Sequence, residues 1–266
     1  YAKEKLAEEF YLDTKAQVLS MNKVDNKAEI RFINLSGEEV TEKFDYLLAA
    51  TGRRPNIDNL AIEKTDLLLD ERGVPLADPK TMQCGTSNIF IAGDASDHLP
   101  LLHEAADQGK IAGDNAGRPG NPKPGLRRAS ISVVFSDPQI AIVGFSYREL
   151  EKQYSNCQCF SSGVVSFEDQ GRSRVILKNK GILRVYGKQG TGLFLGAEMF
   201  GPAAEHIAHL LSWAVQNKMT VAQMLDMPFY HPVIEEGVRT ALRDLNAKLH
   251  LGPEICSHCI ECGPGA

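Results

Sequence analysis

The sequence predicts an α+β protein with an antiparallel sheet, and three observations lead there. Strand-like segments come in two blocks instead of alternating with helices. Two strongly amphipathic helices follow the second block. A Gly/Pro-rich stretch, 117–125, separates the blocks and reads as a linker.

Taken in order, the chain opens in a short helix. Residues 17–21, 28–34 and 39–44 have the composition of a β-meander, with Ser36-Gly37 as a turn. Residues 46–50 read as a short buried strand ending at Thr51-Gly52-Arg53-Arg54-Pro55-Asn56, and 88–92 as another ended by Gly93-Asp94. Pro100 then opens a helix to about Gly113, since its missing N–H costs nothing in a first turn. Its apolar positions are Leu101, Leu102, Ala105, Ala106 and Ile111. Strands are expected at 131–135, 140–143, 174–178, 182–186 and 192–199, with 187–192 as a hairpin turn. Ile207, Leu210, Leu211, Ala214 and Val215 stripe the first amphipathic helix, where Trp213 is expected to pack. Ile234, Val238, Ala241, Leu242, Leu245 and Leu249 stripe the second. From 252 on no apolar period remains, as expected of a tail.

With 266 residues, 43% hydrophobic and 24% charged, the chain is neither a disordered polymer nor a small scaffold dependent on disulfides. Its 29 Lys plus Arg against 34 Asp plus Glu leave a net charge of −5, so no global basic field exists for nucleic acid. No apolar run approaches the roughly 18 residues of a membrane span. The first residues have neither the layout of a signal peptide nor that of a transit peptide, so a cytoplasmic location is expected. Cys84, Cys157, Cys159, Cys256, Cys259 and Cys262 are accordingly expected as reduced thiols or ligands. The chain lacks an initiator Met and begins inside a helix, so it is expected to be part of something larger.

Two places could carry chemistry. An apolar strand ending in Gly93-Asp94 puts a carboxylate at a sheet edge, and glycine lets a ligand approach the backbone there. A helix beginning near Pro100 would aim its positive end at that ligand. On the motif alone, an Asp-capped turn is the competing reading. Near the end, His231 precedes Pro232, and Glu236 can turn back to the imidazole. A carboxylate on one ring nitrogen fixes the tautomer and leaves the other to exchange protons with a thiol. A His–Glu helix cap is the alternative. Glu205, His206 and His209 lie on the polar side of a helix and are expected to be solvated.

The order of these pieces, Ala49-Ala50-Thr51-Gly52-Arg53-Arg54-Pro55-Asn56, Ile89-Phe90-Ile91-Ala92-Gly93-Asp94, Leu101-Leu102-His103 and Tyr230-His231-Pro232 with Glu236, resembles the second half of the flavin-dependent pyridine nucleotide–disulfide oxidoreductases, nearest their dihydrolipoamide dehydrogenase branch. The resemblance covers residues 1 to about 250. It implies that 1–72 ends an NAD(P)-binding domain, 73–125 ends an FAD-binding domain, 126–251 is an interface domain forming homodimers, and 252–266 is a Cys-rich tail. It further implies FAD, NAD or NADP, and a dithiol or disulfide substrate. Thr51, Gly52 and Arg53 would lie beside the nicotinamide cofactor, and Gly93 and Asp94 at the flavin ribityl chain. Leu101, Leu102 and His103 would lie under the flavin ring. His231 would be the acid/base and Glu236 its orienter.

Neither a Gly-x-Gly-x-x-Gly phosphate loop after a strand nor a Cys-x4-Cys pair occurs, so the isolated chain is expected to be inactive and half an enzyme. A non-catalytic dimerisation module is the alternative. The tail departs from the family: Cys256, Cys259 and Cys262, spaced by two residues, could hold zinc or iron with His258 or another fourth ligand.

Overall fold

The computed structural model describes residues 1–252 apart from 97, 98, 119 and 156. The chain divides into two compact units, Leu6–Arg127 and the remainder, which is Tyr1–Lys5 with the chain from Arg128 on. The opening helix, α1, is Ala2–Ala7.

In the Leu6–Arg127 unit, β1 (Gln17–Val24), β2 (Lys27–Ile33) and β3 (Glu39–Phe44) make the expected antiparallel meander. Asp25 and Asn26, both at positive φ, form the two-residue turn between β1 and β2, a conformation that short Asx side chains tolerate. The Asn34 side-chain carbonyl accepts from the amides of Ser36 and Glu38 and shapes the next turn. Residues 46–50, expected as a buried strand, form none: Tyr46 is 93% and Leu48 86% exposed. Residues 88–92 also fail as a strand, and keep only a bridge from Phe90 to Gln83 and two flanking backbone bonds. An apolar segment of this kind becomes a buried strand only between two neighbours, and no described strand borders either one.

Helix α2 (Leu102–Ala116) follows Pro100 as expected, but its buried positions are Glu104, Gln108, Ile111 and Asn115 instead of an apolar stripe. Leu102 is exposed. Most of these buried polar atoms are matched, as burial demands, the Gln108 amide nitrogen excepted. Glu104 takes the Arg127 guanidinium at 2.5 Å. Asn115 donates to the carbonyls of Thr81 and Lys123 and accepts from the Lys123 amide. The expected linker is therefore tied down along part of its length, and Gly125 also donates to the Lys80 carbonyl.

From Arg128 on, one antiparallel sheet runs β4-β5-β8-β7-β6. Its strands are β4 (Ile131–Val134), β5 (Gln139–Gly144), β6 (Phe160–Ser166), β7 (Ile182–Lys188) and β8 (Phe194–Gly201). The α+β expectation with an antiparallel sheet holds here, and the 187–192 turn joins β7 to β8. Residues 174–178 are not a strand. They end the short helix α4 (Gly171–Val175), with Val175 and Leu177 pointing to solvent. The strand lies earlier, in β6, where polar residues interrupt the apolar pattern.

Helix α5 (Ala204–Gln216) packs on β4, β5 and β8, and α7 (Glu236–Lys248) on β6 and β7. Leu183, Val185, Ile207, Leu211, Leu242 and Leu245 sit in the core between them. Gly163 in β6 permits this approach, since a Cβ there would stand 2.2 Å from the Ala241 carbonyl oxygen. On the other sheet face, α3 (Tyr147–Gln153) covers Tyr186 and Leu195 with Leu150. Helix α6 (Val221–Leu225) packs on α7. Trp213, expected to pack, is 68% exposed, because the inward turn of α5 is taken by Leu211, Ser212 and Ala214.

Candidate functional site

His231 and Glu236 are brought together by the loop that enters α7. Ile234 anchors this loop in the core, and the Gly237 and Val238 amides donate to the carbonyls of Ile234 and Glu235, turning the chain into the helix. The His231–Pro232 bond is cis, and Glu236 is the first helical residue. His231 Nδ1 stands 2.9 and 3.0 Å from the two carboxylate oxygens of Glu236. A carboxylate can only accept, so Nδ1 carries the proton and Nε2 is left as the working nitrogen. The Val233 amide donates to the same carboxylate at 3.2 Å. The imidazole first, and this amide second, hold the Glu236 carboxyl below the usual carboxylate range. The His231 side chain is 79% exposed. It borders an open cleft of about 590 Å³ that Gln170, Arg172, Val175 and Thr240 also line. Such a pair can take a proton from, and return it to, a thiol that enters the cleft.

The other expected residues meet within the Leu6–Arg127 unit. Gly93, at φ +69, opens a single turn of 3₁₀ helix, Gly93–Ser96, and donates its amide to Gln108 Oε1 at 2.8 Å. Asp94 leaves that turn half exposed and pairs with the Arg53 guanidinium at 3.0 Å. Arg53 also donates to the Pro100 carbonyl at 2.6 Å, so three segments separated in sequence converge. Thr51 and Gly52 are exposed. Leu101 is the N-cap of α2 and offers no side-chain cap, while Leu102 and His103 face outward in the first turn. A carboxylate beside an uncapped helix start suits a ligand that brings hydroxyls and partial negative charge. Sequence reading passed over Gln108, which is fully buried with its amide nitrogen unpartnered. Its position, four residues after Glu104 on the inner face of α2, was the available signal.

Cys157 and Cys159, expected as reduced thiols or ligands, are instead joined in a disulfide, their Cα atoms 5.3 Å apart and within bonding reach. Cys84 is a free, buried thiol as expected. Cys256, Cys259 and Cys262 lie outside the described residues. His209 Nδ1 faces the Glu205 carbonyl of its own helix. Among the described residues no group of three or more His, Cys, Asp or Glu is placed to hold a metal ion.

Two family descriptions match the chain: "Pyridine nucleotide-disulphide oxidoreductase" over residues 3–109, and the dimerisation domain of the same family over 130–242. The dihydrolipoyl dehydrogenase of Bacillus subtilis is 31% identical over 206 residues, 76% of this chain and 42% of that protein. The mercuric reductase of Shigella flexneri is 30% identical over 76% of this chain and 35% of that protein. The chain thus spans less than half the length of these relatives. The crystal structure of LpdA from Mycobacterium tuberculosis superposes with a TM-score of 0.74 at 23% identity, over 91% of this chain and 51% of that one. That likeness is one of fold. No helix among the described residues is long and apolar enough to cross a membrane.

Proposed function

We propose, for a chain that belongs to the pyridine nucleotide-disulphide oxidoreductase family, that it forms the carboxyl-terminal half of a cytoplasmic, FAD-dependent enzyme of the dihydrolipoamide dehydrogenase type. The intact enzyme would pass electrons between NAD(P)H and a dithiol or disulfide. The observation that carries this reading is the two-oxygen contact of Glu236 with His231 Nδ1, which leaves Nε2 free at a cleft. His231 would take the thiol proton and hand it back, and Glu236 would hold the ring and balance its charge.

Bound FAD would supply the two-electron relay between nicotinamide and disulfide. The chain's own residues fit one end of it: Asp94 presents a half-exposed carboxylate to ribityl hydroxyls, and the uncapped start of α2 at Leu101, Leu102 and His103 faces partial negative charge. Thr51, Gly52 and Arg53 are assigned to the nicotinamide side. Residues 1–72 and 73–125 would end the NAD(P)- and FAD-binding domains, and 126–251 would form a homodimer. An open apolar groove of about 550 Å³, where Trp213, Met227 and Tyr230 are exposed, supports that last assignment. The same groove favours the second reading, in which this chain alone is a dimerisation module. For the tail thiols Cys256, Cys259 and Cys262, bound zinc or iron is proposed, to be checked by metal analysis.

The test separates the two half-reactions in the FAD-loaded enzyme. His231→Gln should slow dithiol turnover by about 10²- to 10⁴-fold and leave reduction of the flavin by NAD(P)H intact. Wild-type dithiol turnover in that variant would overturn the assignment.

A further inference from the structure

We infer that Gln170 is a positioning residue for the His231–Glu236 pair, holding the loop that carries both. The inference rests on reading that pair as the proton-exchanging group. Gln170 uses both ends of its amide. Its Nε2 donates to the Val233 carbonyl at 2.8 Å, and its Oε1 accepts from the Ser173 amide at 2.7 Å. The orientation of the amide is fixed, because an amide N–H can only donate and a carbonyl can only accept. Val233 is the residue whose own N–H donates to the Glu236 carboxylate. One residue, Val233, therefore has its carbonyl held by Gln170, while its own amide helps to aim the carboxylate that aims the imidazole.

The support behind Gln170 is rigid. It is the N-cap of α4, and the Ser173 hydroxyl, fully buried, donates to the carbonyls of Phe167 and Gln170. Phe167 is itself fully buried and lies against the first turn of α7, where a Cβ on Gly237 would come within 2.8 Å of its ring. Both sides of the His231–Glu236 loop are thus referred to one short segment, 167–173. Exposed His231 has little packing of its own to set its direction, so the loop must do it.

The readout is the tautomer of the neutral His231 ring, measured by ¹H–¹⁵N NMR of the full chain at about pH 8.5, above the ordinary histidine range. With Glu236 in place the ring is held as Nδ1–H. Gln170→Glu keeps the acceptor that caps α4 but loses the donor to Val233, and Gln170→Ala loses both. Gln170→Glu should lower the ratio of Nδ1–H to Nε2–H about fivefold, the size expected for one lost hydrogen bond, and Gln170→Ala at least as much. A purely structural cap would leave Gln170→Glu at the wild-type ratio, and that result would overturn the inference. Glu236→Gln is the control. If it lowers the ratio and Gln170→Glu does not, only the positioning role fails. If Glu236→Gln leaves the ratio unchanged, the pair itself is wrong and the inference falls with it.

Discussion

From Arg128 on, the chain buries apolar side chains on both faces of one five-stranded sheet. Between Leu6 and Arg127 it buries few apolar residues, Phe32, Ile57, Val74, Pro75, Met82, Cys84 and Ile111 among those described, and fills the inner face of α2 with polar groups. From Arg128 on, the stripes of α5 and α7 meet complementary strand faces of the same sheet. In the Leu6–Arg127 unit, the apolar segments 46–50 and 88–92 have no strand ladder to join, and α2 is fixed by hydrogen bonds and an ion pair. Hydrophobic burial is non-directional and cumulative, whereas buried polar contacts each depend on one partner. The two units should therefore fail in different ways.

Core truncation should separate them most strongly. Leu183→Ala or Leu242→Ala, both at fully buried positions, should cost about 2–5 kcal/mol in urea unfolding. Leu48→Ala, at a position 86% exposed, should stay within about 0.5 kcal/mol. Comparable costs at the two places would erase the contrast.

Removing one polar partner should damage the other unit. Glu104→Ala leaves the part-buried Arg127 guanidinium without its carboxylate, a loss of about 3 kcal/mol by analogy with broken buried pairs. Faster hydrogen exchange at the Gly93 amide, which is held by Gln108 on the same helix face, would report it. Replacing Glu104 and Arg127 together by Leu and Met should recover most of the loss, because no charge is then stranded.

The smallest effect is in acid. The Glu236 carboxyl is held low in the folded chain, so the stability it contributes is fully present above the ordinary Glu value of 4.5. That stability is lost as the pH falls through the lowered folded value. The carboxyl ¹³C resonance of Glu236 should titrate below 4.5 in the wild type and move upward in His231→Gln. Titration at the same pH in both would remove the imidazole as its cause.

What could be read from the sequence follows the same division. The α7 stripe, most of the α5 stripe and the β7–β8 hairpin were legible because their burial partners lie within the same unit. Leu210, expected on the α5 stripe, is 44% exposed because Leu211 and Ala214 take the inward turn. Ile234, Val238, Ala241, Leu242, Leu245 and Leu249 are all buried as expected. The His231–Glu236 contact was legible because both residues belong to one short loop. Segments 46–50 and 88–92 were misread because apolar composition does not say whether a ladder is available. The inner face of α2 was missed because Glu104, Gln108 and Asn115 look like a solvated face until Arg127, Gly93 and Lys123 are known to meet them. Two helices had overlooked local signals: Ser146 with Glu149, and Thr220 with Gln223, are capping boxes that start α3 and α6. Gln170 gave only the weak hint of a polar residue three before Ser173, and its bond to Val233 spans 63 positions of sequence.

The central claim is that the unit with the closed core holds the His231–Glu236 pair in working geometry by itself. A urea titration of the whole chain, followed residue by residue by NMR, tests it directly. The Ile91 and Gly93 amides report the Leu6–Arg127 unit, through their bonds to Met82 and Gln108, and the Nδ1–H signal of His231 reports the pair. The prediction is that protection at Ile91 and Gly93 disappears at lower urea while the His231 Nδ1–H signal persists until the β7 and β8 amides exchange. Loss of the His231 signal together with Ile91 and Gly93, while β7 and β8 remain protected, would contradict it.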